Sequence, residues 1–328
     1  MPYASREIHL VARPEGMPRP GDFRLVEREV ADPGEGEVVV RNLLMSVDPY
    51  MRPRLAEAQA LNVAMDGGAI GRVVASRNPA FAEGDIVRNG HGFRDYFASD
   101  GRGLQKLAPD PALPLSVYMH ALGGTGFTAY GGLLEIGKLK DGEQVFVSTA
   151  AGAVGSVVAQ IAKINGCYVV GSTGSDDKVR WLTDEAGIDV AINYKAGPIG
   201  KAVQAATPKG IDVYFDNVGG DHLDAALRRM NTLGRIAVCG MIAGYNGQPA
   251  PVTGLSAIIY SRVNIRGFVG TDFMHLYDQF RSDMTDWLKS GRVKYQETVL
   301  EGVDNAPAAF IGLMKGENAG KMLVRLAD

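Results

Sequence analysis

The sequence contains little cysteine, no surplus of charge of one sign and no long hydrophobic run. Its 328 residues include only two cysteines, Cys167 and Cys239, so we expect no disulfide framework and a reducing, cytoplasmic compartment. The formal net charge is −3, with acidic and basic residues interspersed, which argues against a nucleic-acid-binding surface. No segment approaches the ~20 apolar residues of a membrane span, and the N-terminal segment lacks the apolar core of a signal peptide. We therefore expect a cytoplasmic protein without nucleic-acid or membrane partners.

Side chains that bind metal ions are also sparse. Both cysteines fall in the second half of the chain, far apart, and His9, His91 and His120 are not clustered. A zinc-dependent dehydrogenase needs cysteine or comparable ligands in its first domain. The sequence therefore predicts no metal site. Without zinc as a Lewis acid, hydride addition to a conjugated C=C bond is easier chemistry than reduction of a simple ketone.

Residues 143–165 combine the features of a dinucleotide-binding turn. Gln144–Ser148 is a short apolar run of buried-strand length, and from Val154 onward the apolar residues recur at helical spacing. Between them, Ala150-Ala151-Gly152-Ala153-Val154-Gly155 is a variant of G-x-G-x-x-G with alanine in the first position. A glycine turn that enters a helix presents backbone N–H groups to a pyrophosphate. The alternative is an ordinary strand-to-helix turn without a ligand.

The pattern of secondary structure predicts one domain inserted into another. Residues 1–118 contain short strands separated by proline and glycine, typical of a small barrel-like β domain. From Thr128 strands and helices alternate, which favours a parallel, doubly wound sheet with helices on both faces. From about Gln296 short β segments return. We expect one domain from residues 1–125 and 296–328 and a nucleotide-binding domain at 126–295. Predicted elements include Phe23–Val30, Val190–Asn193, Ile199–Ala206, Arg235–Cys239 and Ala306–Lys315.

The end of the second strand of the inserted domain indicates which dinucleotide binds. NAD-binding units carry an acidic residue there, which binds the ribose hydroxyls. Here Gly171–Gly174 contains no acid, whereas Ser175 is a candidate N-cap and Lys178 lies within reach of a 2′-phosphate. Asp176 and Asp177 count against this interpretation, although at a helix start they could complement the dipole. We therefore predict NADP(H).

Several motifs in order resemble one family over nearly the whole chain. They occupy residues 46–52, 128–130, 150–158, 174–179, 193–195, 215–220, 239–240, 245–246 and 315–321. The sequence resembles the zinc-independent medium-chain dehydrogenase/reductases, the group of leukotriene B4 12-hydroxydehydrogenase/prostaglandin reductase and the alkenal double-bond reductases. The resemblance implies an α/β fold, in which a doubly wound parallel (Rossmann) sheet is inserted in a GroES-like, mostly β catalytic domain. It also implies a homodimer formed through an edge strand near Ile265–Val269.

The same resemblance implies a set of site residues. Tyr50 and Tyr245 would line the substrate cleft as the catalytic tyrosines, and no residue would bind a metal. The residues implied for NADP(H) are Thr128, Gly152, Ala153, Val154, Gly155, Lys178, Tyr194, Asn217, Cys239, Gly240, Met241, Ile242, Tyr245, Phe268, Val269, Gly270 and Asn318.

Each singled-out side chain also has a plainer interpretation. Tyr245 could be an exposed loop tyrosine and Tyr50 a packing aromatic, whereas Asp48 is expected to be structural and to accept hydrogen bonds from nearby backbone N–H groups. Asn217 follows a strand at the carboxyl edge, where open α/β sheets bind ligands, although it could be an ordinary loop residue.

The predicted reaction is NADPH-dependent reduction of the C=C bond of α,β-unsaturated aldehydes and ketones. The substrate would be a small electrophilic alkene, reduced at its β-carbon, with Tyr245 or a cofactor hydroxyl stabilising the charge on the carbonyl oxygen. Two alternatives stay open: a zinc-free NADPH:quinone oxidoreductase, and an NADPH-binding protein without catalytic activity.

Overall fold

The computed structural model describes residues 2–327 and shows an α/β protein with fifteen strands and nine α-helices in that range. The strands are β1 (Tyr3–Leu10), β2 (Phe23–Val30), β3 (Val38–Ser46), β4 (Ala69–Ser76), β5 (Ile86–Asn89), β6 (Tyr96–Ser99), β7 (Gln105–Lys106), β8 (Gln144–Val147), β9 (Tyr168–Thr173), β10 (Val190–Asn193), β11 (Ile211–Asp216), β12 (Met230–Val238), β13 (Asn264–Gly267), β14 (Glu297–Glu301) and β15 (Lys321–Arg325). The helices are α1 (Met51–Ala56), α2 (Gly124–Gly131), α3 (Gly155–Ile164), α4 (Asp176–Asp184), α5 (Ile199–Ala206), α6 (Gly220–Leu227), α7 (Ala257–Tyr260), α8 (Tyr277–Lys289) and α9 (Ala306–Lys315).

The chain divides into two compact units, residues 1–119 with 297–328 and residues 120–296. The first unit is mostly β. Its larger sheet has the strand order β14-β15-β3-β4-β5-β7, with β6 paired to β3, and β1 pairs with β2 in a separate antiparallel ribbon. Inward-facing residues of this sheet, among them Val38, Val73 and Phe97, pack into one apolar cluster.

The second unit is a doubly wound parallel sheet. Its strand order is β10-β9-β8-β11-β12-β13, and every described pairing in it is parallel. This is the order of a Rossmann domain, which reverses next to its first strand, β8. Parallel strands covered on both faces read as nearly continuous apolar runs, as β8 does. Phe146 of β8 stacks on Tyr214 of β11, with ring centroids 4.9 Å apart, in the core beneath the helices.

The structure confirms the predicted fold class and corrects several boundaries. β2, β10, α5 and α9 coincide with the expected bounds, whereas β12 begins at Met230 rather than at Arg235. A register shift between β11 and β12, with Leu233 at φ 63°, accommodates residues 230–234 within the strand. Within residues 2–327, no helix combines the length and apolarity needed to cross a bilayer.

One helix forms where propensity opposes it. α2 begins at Gly124, ahead of the point at Thr128 from which strands and helices are expected to alternate, and it contains three glycines. A Cβ atom on Gly126 would overlap the carbonyl oxygen of Ala121. Glycine is therefore required by close backbone packing, which outweighs its poor helix propensity.

Candidate functional site

The carboxyl ends of the parallel strands bring most of the predicted cofactor residues to one edge of the second unit. The predicted residues follow β8, β10, β11, β12 and β13, and α4 follows β9 at the same edge. Because parallel strands end at a common edge, segments that are far apart in sequence become neighbours there. Among the predicted cofactor residues of the second unit, Thr128 alone comes from another position, on α2.

The turn after β8 has the geometry of a phosphate-binding loop. Thr149 adopts a positive φ of 52°, a conformation that non-glycine residues rarely take. A Cβ atom on Gly155 would overlap the Thr149 carbonyl oxygen and lie 2.9 Å from the Ala150 Cα atom. Gly155 is therefore required where α3 packs against the turn, the structural role of the last glycine in a dinucleotide motif.

Alanine at the first position of the motif is accommodated by a glycine on the next strand. A Cβ atom on Gly171 would lie 2.6 Å from the Cβ atom of Ala150. The backbone N–H of Ala150 donates a 2.8 Å hydrogen bond to the Ser172 carbonyl, which holds the turn against β9. The methyl group of Ala150 thus occupies space left by Gly171, and the turn is preserved.

Backbone donors at the start of α3 fit a pyrophosphate. Within the described range, no group accepts a hydrogen bond from the N–H of Val154 or of Gly155. The Ser156 hydroxyl in the same helical turn is buried, and it too lacks a hydrogen-bond partner among residues 2–327. Unsatisfied N–H groups at a helix N-terminus form a natural anion site. Ser156 was missed in the sequence because a single serine in a helix carries no distinguishing signal.

A cationic cluster lies beyond the ends of β9 and β10. The charge of Lys195 and, more strongly, burial lower the pKa of Lys178, so the two ammonium groups lie close enough to repel each other. A Cβ atom on Gly174 would lie 3.0 Å from the Tyr194 hydroxyl and 3.4 Å from Lys195 Cε. Two cations and a phenol around a glycine suit a doubly charged phosphate. Lys195 stands within the quoted motif but was not among the predicted binding residues.

The two acids that count against NADP(H) are engaged elsewhere. Asp176 accepts a 2.7 Å hydrogen bond from the side-chain amide of Asn193, and Asp177 pairs with Arg180 one turn along α4. The Ser175 hydroxyl accepts from the N–H of Lys178 at 3.4 Å, which confirms the expected N-cap. The acids therefore contribute to the helix start.

Asn217 is held at the same edge by β8. Its side-chain amide donates to the Ser148 carbonyl at 2.7 Å, and its N–H donates to the Ser148 hydroxyl at 2.9 Å. The buried Asp216 carboxylate accepts from the N–H groups of Val218 and Gly219 at 2.9 and 2.8 Å. These bonds fix the turn that begins α6, so the position of Asn217 is well defined.

The loop after β12 carries the candidate catalytic tyrosine. The N–H groups of Cys239 and Gly240 donate to the Asp216 carbonyl at 2.8 and 3.1 Å, which ties the loop to β11. The Tyr245 hydroxyl accepts from the Met241 N–H at 3.5 Å, and Ile242 lies between them in a short helical turn. Burial and the charge of Asp216 raise the pKa of Cys239 to about 12, so its thiol is protonated at neutral pH.

The segment after β13 meets α2. A Cβ atom on Gly270 would lie 3.0 Å from the Thr128 hydroxyl oxygen, so these two predicted cofactor residues are neighbours. The Phe268 ring instead packs inward, 5.9 Å from the Phe215 centroid, whereas Val269 is exposed. The Phe268 side chain is half-buried, and its ring packs against the core residues Phe215 and Phe273.

In the first unit, Tyr50 borders a cavity of about 440 Å³. Its ring is 45 % exposed, so it is not a core packing residue, and its substrate role stays a prediction. Burial and the charge of Asp48 raise the pKa of Tyr50, while Arg54 acts in the opposite direction. The other residues that line this cavity are Arg54, Asp66, Gly67, Gly68, Gly90 and His91.

Two further residues of the first unit are held by contacts within it. Asp48 accepts from the Ser46 hydroxyl and, at 2.8 Å, from the buried Lys321 ammonium; it is structural, but through side chains rather than the backbone N–H groups that we expected. Asn318 is buried, and its amide donates to the Gly320 carbonyl at 2.7 Å. Its predicted role toward the cofactor is not tested by this contact.

Across residues 2–327, no three histidine, cysteine, aspartate or glutamate side chains come together as a metal site requires. The donor groups that the structure does assemble are backbone N–H groups, ammonium groups and hydroxyls at the carboxyl edge. This set fits a phosphorylated dinucleotide.

Comparison with known proteins agrees with this geometry. A protein-family model described as the N-terminal domain of oxidoreductase matches residues 6–107. A second family model, described as zinc-binding dehydrogenase, matches residues 153–290. Prostaglandin reductase 1 of Rattus norvegicus is 44 % identical, covering 95 % of this chain and 96 % of its own. The NADP(+)-dependent 2-alkenal reductase of Nicotiana tabacum is 40 % identical, covering 99 % of this chain and 98 % of its own.

A solved structure matches over almost the whole length. CurA of Vibrio vulnificus in complex with NADPH superposes with a TM-score of 0.93 at 39 % identity, covering 98 % of this chain and 99 % of its own. The chain belongs to the zinc-independent medium-chain dehydrogenase/reductase family. The family predicted from sequence is thereby confirmed.

Proposed function

We propose that this protein is an NADPH-dependent reductase of the C=C bond of α,β-unsaturated aldehydes and ketones. The proposal depends on one observation above all: unsatisfied backbone N–H groups, two lysines and a tyrosine hydroxyl come to the same carboxyl edge from the segments that follow β8, β9, β10 and β12. The names of the relatives, a prostaglandin reductase and a 2-alkenal reductase, support the same reaction class.

The chain's own residues hold the cofactor in two places. The N–H groups of Val154 and Gly155 bind the pyrophosphate, and Lys178, Tyr194 and Lys195 bind the 2′-phosphate of the adenosine ribose. When bound, NADPH supplies a hydride equivalent for the β-carbon of the substrate. Thr128 and Gly270, which lie together, border the nicotinamide end.

Tyr245 supplies the hydroxyl for the carbonyl oxygen of the substrate. A phenol both accepts and donates, and because Tyr245 accepts from the Met241 N–H, its own O–H remains the natural donor. A donor aimed at an oxygen that gains negative charge stabilises that charge selectively. A proton from water then completes the reduction at the α-carbon.

NADPH absorbance, followed with a conjugated enal, tests the reaction. We expect NADPH oxidation with 2-nonenal, little with NADH, and a loss of about tenfold or more in kcat for Tyr245→Phe, since a missing oxyanion donor typically costs at least that much. Tyr3→Phe, which keeps a ring stacked on Tyr96 in the first unit and removes only its hydroxyl, is the control. An unchanged rate in Tyr245→Phe would exclude Tyr245 from the mechanism.

The same assay separates the alternatives. Turnover with 1,4-quinones but not with enals would identify a quinone oxidoreductase. NADPH binding without oxidation across a panel of electrophilic alkenes would identify a binding protein without activity.

The proposal includes a cytoplasmic homodimer. Cys167 and Cys239 are both free thiols, which fits a reducing compartment. β13 is an edge strand of its sheet, and the chain segment just before it exposes Leu255, Ile258, Ile259 and Tyr260. An open edge beside exposed apolar side chains favours pairing with a second copy about a two-fold axis.

A further inference from the structure

His120 is a buried histidine that the proposed mechanism does not use. It has no exposed surface, and its ring packs edge-to-face on Tyr295 with centroids 5.8 Å apart. Its carbonyl accepts from the N–H groups of Gly123 and Gly126 at 3.0 and 3.1 Å and from the Thr125 hydroxyl at 2.9 Å. Its backbone is thus tightly fixed, and so is the direction in which its side chain leaves the chain.

The ring reaches the dinucleotide-binding turn. His120 Nε2 lies 3.1 Å from the carbonyl oxygen of Ala153, in the turn between β8 and α3. A carbonyl oxygen only accepts, so Nε2 carries the proton and donates. The contact joins residues 33 positions apart in sequence. Both residues lie outside the strands and helices.

This hydrogen bond controls the orientation of a peptide group whose N–H faces no protein acceptor. The Ala153 carbonyl and the Val154 N–H belong to one planar, trans peptide unit, in which the two groups point in opposite directions. By holding the carbonyl, His120 directs the Val154 N–H away from itself. That N–H has no hydrogen-bond partner within residues 2–327, as expected of a donor reserved for a ligand.

We propose that His120 is a positioning residue for the pyrophosphate: it holds the Ala153–Val154 peptide so that the Val154 N–H faces the phosphate oxygens. The inference rests on the proposed binding of NADPH at this turn. Without the imidazole donor, the peptide can rotate, and part of the affinity for NADPH is spent on reorienting it.

A matched pair of variants tests the donor. Gln and Met have similar length and volume, but only Gln keeps an N–H that can reach the Ala153 carbonyl. We expect His120→Met to raise the Kd for NADPH about five- to tenfold, corresponding to the loss of one hydrogen bond, and His120→Gln to stay within about twofold of the unmodified protein. Calorimetric titration of the whole chain measures both values without turnover.

A second ligand separates positioning from folding. 2′-AMP carries the 2′-phosphate but no pyrophosphate, so its affinity depends on Lys178 and Lys195 and not on the turn. We expect 2′-AMP to bind His120→Met and the unmodified protein equally. His9→Leu, a change at another buried histidine, in the first unit, is expected to leave the NADPH Kd unchanged.

Three results would overturn the inference. Equal NADPH affinities of the Gln and Met variants would show that the donor is not needed, and weaker binding of 2′-AMP to His120→Met would assign His120 to folding. An increase in the NADPH Kd of His9→Leu to match that of His120→Met would mean that general destabilisation accounts for the effect. Failure of the unmodified protein to bind NADPH at all would instead refute the proposed function on which the inference rests.

Discussion

Lys178 and Lys195 show how a binding preference follows from individual charges. They belong to α4 and to the segment after β10, and the charge of Lys195 acts on Lys178 because β9 and β10 are neighbours in the sheet. Like charges held together are unfavourable unless an anion comes between them. The pair therefore favours a ligand with a phosphate at this place.

At the residue scale, we predict that Lys195→Ala reduces the preference for NADPH over NADH. The Kd for NADPH should rise about fivefold, since a partly exposed ion pair contributes roughly 1 kcal/mol, while the Kd for NADH should not change. Fluorescence titration with both nucleotides measures this. Lys201→Ala, at another exposed lysine on α5, is the control, and an equal loss of affinity for both nucleotides would contradict the assignment.

The turn between β8 and α3 illustrates how elements determine which residues are possible. Backbone atoms of Thr149 and Ala150 occupy the space that a Cβ atom on Gly155 would need. Backbone atoms cannot rotate away as a side chain can. Gly200 on α5, in contrast, has nothing within 4 Å of that space. Two glycines at the start of helices therefore have different roles.

At the element scale, we predict opposite effects for two Gly→Ala changes. Gly155→Ala should lower the unfolding free energy by about 1–3 kcal/mol through overpacking and should weaken NADPH binding by displacing α3. Gly200→Ala should be neutral or stabilising, because alanine favours the helix. Thermal denaturation with and without NADPH measures both effects. Similar behaviour of the two variants would mean that packing at the turn is looser than the geometry indicates.

The proposed assembly depends on surface features of the second unit. Its sheet ends at β13, whose outer edge has no partner strand within the described chain, and Ile259 and Tyr260 nearby are 74 % and 80 % exposed. An exposed edge strand flanked by apolar side chains favours aggregation unless another chain covers it.

At the scale of the whole molecule, we predict that Ile259→Glu converts a dimer into a monomer. A carboxylate at an apolar, two-fold interface would be buried twice, once from each copy. Light scattering coupled to size-exclusion chromatography should report twice the chain mass for the unmodified protein and a single chain mass for the variant. Leu25→Glu, an exposed site on β2 of the first unit, should remain dimeric. A monomeric unmodified protein would exclude the proposed dimer.

Local patterns in the sequence were sufficient for the family, the fold class and the coenzyme preference. Strand-to-helix alternation, the glycine turn and the absence of an acid after β9 are all short-range signals, and tertiary structure did not reverse them. Where tertiary contacts opposed local propensity, the sequence was less informative: close packing against Ala121 requires a glycine within α2, and β12 extends through a bulge at Leu233.

The partners of individual side chains could not be obtained from the sequence. Asp48 bonds to Lys321, Asp176 bonds to Asn193, the charge of Lys195 acts on Lys178, and His120 bonds to Ala153. Such pairs depend on strand order and on the direction of each side chain, which no short-range pattern encodes. The sequence by itself therefore determined the kind of protein and the kind of cofactor, because these follow from local backbone preferences. The tertiary structure alone decided which groups come together at the site, because that depends on the packing of distant segments.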